Sequence, residues 1–324
     1  MPETANLADP LQIGNVTIRN RVFLAPMSGV TDLAFRSRAY AHGAGLVVSE
    51  MVASGELAKG RGTSAHRIRH SGLPVHMVQL AGREAAHMAE GARIAEGEGA
   101  DIIDINMGCP AKKVTGGYAG SALMRDLDHA VSLIDAVVGA VSVPVTVKMR
   151  LGWDDTALNA PTLALRAEQA GVKMVTVHGR TRCQFYHGKA DWSAIAQVKQ
   201  TVSIPVVANG DVSNGADAAG ILAQSGADAV MVGRASYGAP WTAGLIAGDA
   251  AASEASGVPA VGAAMAAYVV AHYEDMLTLY GEESGLRQAR KHLGWYLDRH
   301  APGTSPILRS AIMTGLEPKN VIAG

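Results

Sequence analysis

Hydrophobic residues gather in eight short runs over the first three quarters of the chain: Val22 to Met27, Gly45 to Glu50, Val75 to Leu80, Asp101 to Asn106, Val145 to Arg150, Met174 to Gly179, Val206 to Gly210 and Ala229 to Gly233. None alternates cleanly with polar residues, and near-continuous apolar strands are what a parallel sheet buried on both faces requires. Between the runs, apolar residues recur at spacings of three and four, which predicts helices over Glu84 to Glu98 (ended by Gly99), Ala130 to Val141 and Ser213 to Gln224. Eight strand–helix units in roughly 240 residues predict an α/β fold, a (β/α)8 TIM barrel. An open doubly wound sheet would need two nucleotide-binding halves, and no GxGxxG opens a helix here.

The flanks read differently. Residues 11–21, LQIGNVTIRNR, predict a small hairpin around Gly14-Asn15 that plugs the bottom of the barrel. Residues 246–280 hold no Lys or Arg, and the Ala/Gly/Pro-rich stretch 250–263 has the composition of a linker. From Ala264 the pattern is helical to about His300, with a break at Gly281 to Ser284, and a third short helix is expected after Pro306. Two domains follow: a barrel over 1–245, and a linker with a small all-helical C-terminal domain over 246–324.

Composition narrows the class. At 48% hydrophobic and 18% charged, the 324 residues easily build a large core. A net charge of -1 supplies no global basic field for nucleic acid. Cys109 and Cys183 are too few for a disulfide framework and fit a reducing compartment. No basic start precedes an apolar run as in a signal peptide. The apolar stretch Val258 to Ala271 falls short of the ~20 residues of a membrane span. A cytoplasmic, monomeric protein without membrane or metal is expected.

Barrel enzymes work at the C-terminal ends of their strands. Polar or glycine-rich segments stand there at seven of the eight ends. They are Pro26-Met27-Ser28, Gln79, Asn106 to Cys109, Lys148 to Arg150, His178 to Arg180, Asn209-Gly210-Asp211 and Gly233-Arg234. Any one of them is compatible with a satisfied rim residue; the set converges on one face and marks a site. Bare glycine backbone after the last two strands is where barrels often hold phosphate, and Arg234 would add a charge-assisted bond. The same two loops are also compatible with ordinary glycine turns. Lys148, near the end of a buried strand, wants an anion. It suits the N1–C2=O edge of a reduced flavin, a Schiff-base amine, or a lysine that snorkels from the rim. Gln79 and Asn106 could offer amides to a flavin or substrate. Cys109 sits in a Gly-Cys-Pro turn with no metal-ligand spacing around it. It is readable as a nucleophile, as a thiol still protonated at its usual pKa of ~8.5 and therefore a general acid, or as an inert buried cysteine.

These residues lie in segments that resemble the tRNA-dihydrouridine synthases: LAPMSGVTDLAFR (24–36), DIIDINMGCPAKKV (101–114), AGSALM (119–124), VKMRLGW (147–153), VHGRTR (177–182), VANGDV (207–212) and MVGRASYGAPW (231–241). The C-terminal ARKHLGWYLDRHAP (289–302) is similar to the bacterial B-type subfamily associated with nitrogen-regulation operons. The resemblance covers residues 11 to 302, in order, and implies FMN, reduced by NADPH, acting on the C5–C6 double bond of a D-loop uridine in tRNA. It further implies that Pro26, Met27 and Ser28 lie beside the isoalloxazine, with Gln79, Lys148 and His178 around it. Asn209, Gly210, Asp211, Gly233 and Arg234 would hold the ribityl chain and phosphate. Cys109 would give a proton to C5 while flavin N5 gives hydride to C6. For tRNA, Asn106, Lys112, Lys113, Arg150, Arg180, Arg287, Arg290 and Lys291 are the expected contacts.

After Lys113 the loop runs on as Thr115-Gly116-Gly117, without the further basic residues some relatives carry. RNA contact is therefore expected from local patches, one at 59–70 and one at Arg287, Arg290, Lys291 and Arg299, although each also reads as a solvated face. Three other functions compete. A flavin-dependent dehydrogenase of free pyrimidines shares the flavin and the fold, but the basic tail argues against it. A flavin-free phosphosugar barrel with Lys148 as its amine would be colourless. A non-catalytic regulatory protein would not need both Cys109 and Lys148.

Overall fold

Seven of the eight apolar runs each fold as one strand, whose two side-chain parities meet different surroundings. The structure, a computed structural model, describes residues 5–60, 67–70, 72–250 and 257–323. A hairpin of β1 (Leu11–Ile13) and β2 (Val16–Ile18) turns at Gly14, whose φ of +58° suits glycine. Nine parallel strands follow: β3 (Val22–Leu24), β4 (Leu46–Val47), β5 (Val52–Ala53), β6 (Met77–Ala81), β7 (Ile102–Met107), β8 (Val145–Arg150), β9 (Met174–His178), β10 (Val206–Asn209) and β11 (Ala229–Val232). Their order is β4-β3-β11-β10-β9-β8-β7-β6-β5, and a parallel bridge from Val48 to Met77 joins the two ends into a barrel.

The second apolar run does not form one strand over 45–50. It breaks into β4 and β5 because side chains take over the ladder. Ser49 Oγ accepts the Gln79 N–H at 3.0 Å and donates to the Glu50 carbonyl at 3.0 Å. The other seven runs fold where expected, within two residues at their ends except β3, which stops at Leu24, three residues short of Met27.

One parity of each strand faces the surrounding helices and is apolar throughout: Val78 and Leu80, Ile103 and Ile105, Val145 and Val147, Val175 and Val177 all join that core. The other parity lines the barrel and changes along its axis. At the bottom, Phe23, Leu46, Ile102 and Met174 pack on Leu11, Ile13 and Ile18 of the hairpin, which is the expected plug. Higher up, the same parity reads Gln79, Asp104, Thr146 and Thr176, then Asn106, Lys148 and Asn209. The barrel is greasy below and polar above.

Four of the outer helices open on side-chain caps, which satisfy N–H groups the first turn leaves over. Asp32 accepts from Phe35 N, Asp126 from His129 N, Asp191 from Ala194 N and Asn214 from Asp217 N. The helix Thr242–Ala250 crosses the expected domain boundary, and Ala243, Ile246 and Ala247 are buried in the barrel core. Of the expected linker, residues 251–256 lie outside the described ones. The long helices Ala263–Tyr280 and Glu282–His300 pack on each other across a single residue, Gly281 at φ +77°, so the break expected over 281–284 shrinks to one glycine. Pro306–Thr314 starts at Pro306, with Ser305 as its cap, and Pro318–Ala323 adds a helix the pattern did not reveal. Tyr273, Met276, Leu286, Leu293, Ile312 and Val321 form the core of this tail, joined by Ala34 of the barrel helix Leu33–Ala41. Among the described residues no helix is long and apolar enough to cross a membrane.

Candidate functional site

The polar top of the barrel opens into a cavity of about 740 Å³, a size that suits a cofactor or drug-sized ligand. A hydrogen-bonded chain crosses its floor. Thr146 Oγ1 donates to Asp104 Oδ1 at 2.6 Å, Gln79 Nε2 donates to Asp104 Oδ2 at 2.7 Å, and Asn106 Nδ2 donates to Gln79 Oε1 at 2.8 Å. Asn106 Oδ1 then accepts the N–H groups of Gly108 at 3.1 Å and Cys109 at 2.9 Å. On the other side of the turn, the Cys109 carbonyl accepts from Ser121 N and Oγ at 3.1 and 2.9 Å. The backbone that carries the thiol is thus fixed from both sides. Burial pushes the Cys109 thiol up from its ordinary value, against the lowering pull of the Ala111 N–H and of Arg150 and Lys148. It stays protonated at neutral pH.

Lys148 stands beside this chain. Burial, helped by Arg150, lowers its ammonium to about 8, while the Asp104 carboxylate pulls the other way. Its Nζ donates to Asn209 Oδ1 at 3.1 Å, and Asn209 Nδ2 donates to the Met231 carbonyl at 2.8 Å. His178 is held well below its usual range by burial and then by Arg150, Lys148, Arg180 and Arg234. Arg180 Nη1 lies 3.3 Å from His178 Nε2 and can only donate, so the neutral ring carries its proton on Nδ1.

The two glycine loops face the same space. Gly210 has φ +128°, and a Cβ there would come within 2.7 Å of Ala190 Cβ and 3.1 Å of the His178 ring, so only glycine fits the turn. A Cβ on Gly233 would touch only Ala25 and Met27, at 3.8 Å, leaving bare backbone toward the cavity. Asp211 accepts from Arg180 Nη2 at 2.6 Å, Ala190 N at 2.8 Å and Arg234 Nη2 at 3.2 Å. Burial opposes its ionisation, but Arg180, the Ala190 N–H and Arg234 outweigh that and hold the carboxyl below the usual range. Among the described residues, Lys148, Arg150 and Arg234 line the cavity against the single lining carboxylate of Asp211. That balance favours an anion.

Most of the expected site residues meet here: Pro26, Met27, Ser28, Gln79, Asn106, Cys109, Lys148, Arg150, His178, Asn209, Gly210, Asp211, Gly233 and Arg234 all line the cavity. Arg180 does not. It is buried, and besides Asp211 it binds the carbonyls of His187 at 3.1 Å and Gly188 at 2.7 Å, so it braces the site in place of the tRNA contact expected of it. Arg150 reaches the cavity, yet its guanidinium ties the carbonyls of Gly108, Thr181 and Phe185 together at 2.8–2.9 Å.

Lys112 and Lys113 are exposed on a short helical turn beyond Cys109. Arg287 is exposed and paired with Glu283 at 2.7 Å, while Arg290 is half-buried on the same helix. Lys291 is half-buried: its Nζ donates to Gln288 Oε1 at 3.0 Å on the same helix and stands at Gly29, 2.9 Å from where a Cβ would be. Arg299 Nη1 donates to the Ala235 carbonyl at 2.9 Å. Of the basic patch at 59–70, residues 61–66 lie outside the described ones.

Sequence reasoning missed Asp104, Met51, Phe185, Tyr186 and Tyr237. Asp104 is two residues before Asn106 and so faces the same side of β7, a signal the alternation carried. The others sit on loops or at the strand break, where no periodicity points to them.

The dihydrouridine synthase (Dus) family matches residues 23–319. A probable tRNA-dihydrouridine synthase of Rhizobium leguminosarum bv. phaseoli is 56% identical over 308 residues, 95% of each chain. A second, of Rhodobacter capsulatus, is 55% identical over 305 residues, covering 93% of this chain and 92% of its own. The tRNA-dihydrouridine synthase B of Xanthomonas axonopodis pv. citri is 48% identical over 291 residues, 90% of this chain and 87% of its own. Among solved structures, morphinone reductase shares the fold at a TM-score of 0.56 and 15% identity, over 80% of this chain and 92% of that one. On its length, its order of motifs and the residues gathered at the barrel mouth, the chain belongs to the dihydrouridine synthase family of enzymes.

Proposed function

We propose that the protein is an FMN-dependent tRNA-dihydrouridine synthase that reduces the C5–C6 double bond of a D-loop uridine at the expense of NADPH. The observation that carries this reading is a thiol kept protonated by burial, fixed at the mouth of a cavity that also holds a buried lysine and an excess of cations. The residues fit a flavin mononucleotide. Gly210 and Gly233 leave a backbone cradle beside Arg234 for the phosphate. Lys148 would face the ring edge that becomes negative on reduction, and Gln79 and Asn106 keep amide capacity beyond the bonds they make to each other. When bound and reduced, FMN supplies hydride to C6 of the uracil.

The chain's own groups do the rest. Cys109 Sγ–H gives its proton to C5, as a positioned general acid. Asn106 holds the Cys109 N–H, and Arg150 holds the Gly108 carbonyl, so the thiol turn is clamped to β7 and β8. The uridine has to leave its stack to reach this depth, and exposed Tyr186 at the rim presents an aromatic face to it. Phosphate contacts from Lys112, Lys113, Arg287 and Arg290 would supply salt-dependent affinity.

The test is direct. The purified protein should be yellow with noncovalent FMN, and with NADPH it should place dihydrouridine in an unmodified tRNA transcript while ignoring free uridine and uracil. Rapid turnover of the free pyrimidine would move the reading to a pyrimidine dehydrogenase. A colourless protein that takes up no FMN would end it.

A further inference from the structure

Between the cavity and the helical tail lies a charged pair that the reaction does not use, Glu50 buried and Lys291 half-buried. The turn 27–31, which carries cavity-lining Met27 and Ser28, is closed by Met27 N–H to Thr31 Oγ1 at 2.8 Å and Thr31 N–H to Met27 O at 3.0 Å. At its apex Gly29, with φ +74°, donates its N–H to Glu50 Oε1. Glu50 comes from the break between β4 and β5, is 3% exposed, and is followed directly by cavity-lining Met51. Against the same glycine, from the helix Glu282–His300, stands the ammonium of Lys291.

We propose that Glu50 and Lys291 are positioning residues that clamp the Gly29 turn between barrel and tail, and so set the wall of the cofactor cavity formed by Met27 and Ser28. The inference rests on the functional reading above, in that it takes the cavity to hold FMN. Electrostatics agree with the geometry. Burial lowers the Lys291 ammonium, while the carboxylates that raise it are Glu50 and Asp32, so those two groups are its counter-charges. The ammonium also donates to Gln288 Oε1 at 3.0 Å, one turn back on its own helix, which holds it over Gly29. The same helix meets the other ligand loop as well. Trp295 stacks on Tyr237 at 4.0 Å, and the Trp295 carbonyl approaches Gly238 so closely that a Cβ there would come within 2.6 Å. Two glycines, one beside each wall of the cavity, are the points where the tail is let in.

The experiment compares wild type with Lys291→Met, Lys291→Arg, Glu50→Gln and the double variant Glu50→Gln/Lys291→Met. FMN affinity is read by flavin fluorescence on refilling the stripped protein, and binding of an unmodified tRNA transcript is read across a salt series. Lys291→Met should weaken FMN retention about tenfold, Lys291→Arg should recover most of it, and the double variant should be no worse than the weaker single one. The slope of tRNA affinity with salt should stay at the wild-type value. Unchanged FMN affinity with a flatter salt slope would make Lys291 an RNA contact and overturn the inference, as would additive losses in the double variant. If Glu50→Gln does not fold, the two Lys291 variants alone decide between these outcomes. A wild type that holds FMN but forms no dihydrouridine fails the functional reading and leaves the clamp standing.

Discussion

A thiol that must give up a proton needs its proton secured before the substrate arrives. In the role proposed for Cys109 burial does this, while hydrogen bonds to its N–H and its carbonyl hold the turn that carries the sulfur. Cys109→Ala should therefore keep FMN and its reduction by NADPH, while reoxidation of the reduced protein by tRNA slows by ~100- to 10,000-fold. Single-turnover flavin absorbance isolates that step, and a wild-type rate in the variant would assign the proton to another group. In the proposed role the thiol acts protonated, and its pKa is raised, so the rate of that step should hold through neutral pH and fall only above the ordinary thiol range. Lys148 makes the opposite use of burial. Its ammonium is lowered to about 8, and an anion bound beside it would raise it. FMN affinity should then be flat below about pH 8 and fall as pH rises further, since binding takes up a proton there. In Lys148→Met the fall should vanish; a pH dependence that survives the substitution would place its source elsewhere.

Among the elements, the loops beyond β9 and β10 depend on one buried ion pair. Arg180 is 2% exposed in its side chain and Asp211 30%, and they meet at 2.6 Å. Asp211→Asn would leave the guanidinium with carbonyls but no counter-charge, and a loss of about 3 kcal/mol is expected in denaturant unfolding. The sign with pH follows from the lowered carboxyl: the pair's contribution is complete above the usual Asp range and disappears as pH falls through the depressed value. None of this pairing could be read from the chain, since Arg180 and Asp211 lie on different loops and carry no shared period. The barrel itself was legible because buried parallel strands leave near-continuous apolar runs. So were the residues at the strand ends, which the topology forces onto one face. The strand break at Ser49 was not, because a serine that replaces a ladder bond is indistinguishable in sequence from one that simply sits in a strand. Arg180 was misread for a related reason: a charged residue in a glycine-rich loop looks like surface until its buried partners are known.

At the scale of the whole molecule, barrel and tail share a seam of uncharged histidines. His272 and His292 are buried against Phe35 of the barrel helix, with rings 5.9 and 5.6 Å from it. Burial lowers both, His292 to about 3 with Lys291 adding to the effect, and Arg38 adds to it at His272. The docked tail is thus favoured above the ordinary histidine pKa of ~6.5, and that preference is lost as pH falls from there toward 3. Trp295, packed on the same seam, should report the tail loosening in acid before the barrel melts, and His292→Phe should move that transition to lower pH. One transition common to the tryptophan signal and barrel unfolding would show that the seam has no separate acid step. The ring of strands carries a consequence of another kind. Its closing pairs join Val22, Phe23 and Leu24 to Val230, Met231 and Val232, more than 200 residues later. On the ribosome, β3 waits unpaired on that side until almost the entire barrel has been made. A nascent chain halted before β11 therefore exposes two raw sheet edges, and it is at this stage of synthesis that the protein most needs chaperones.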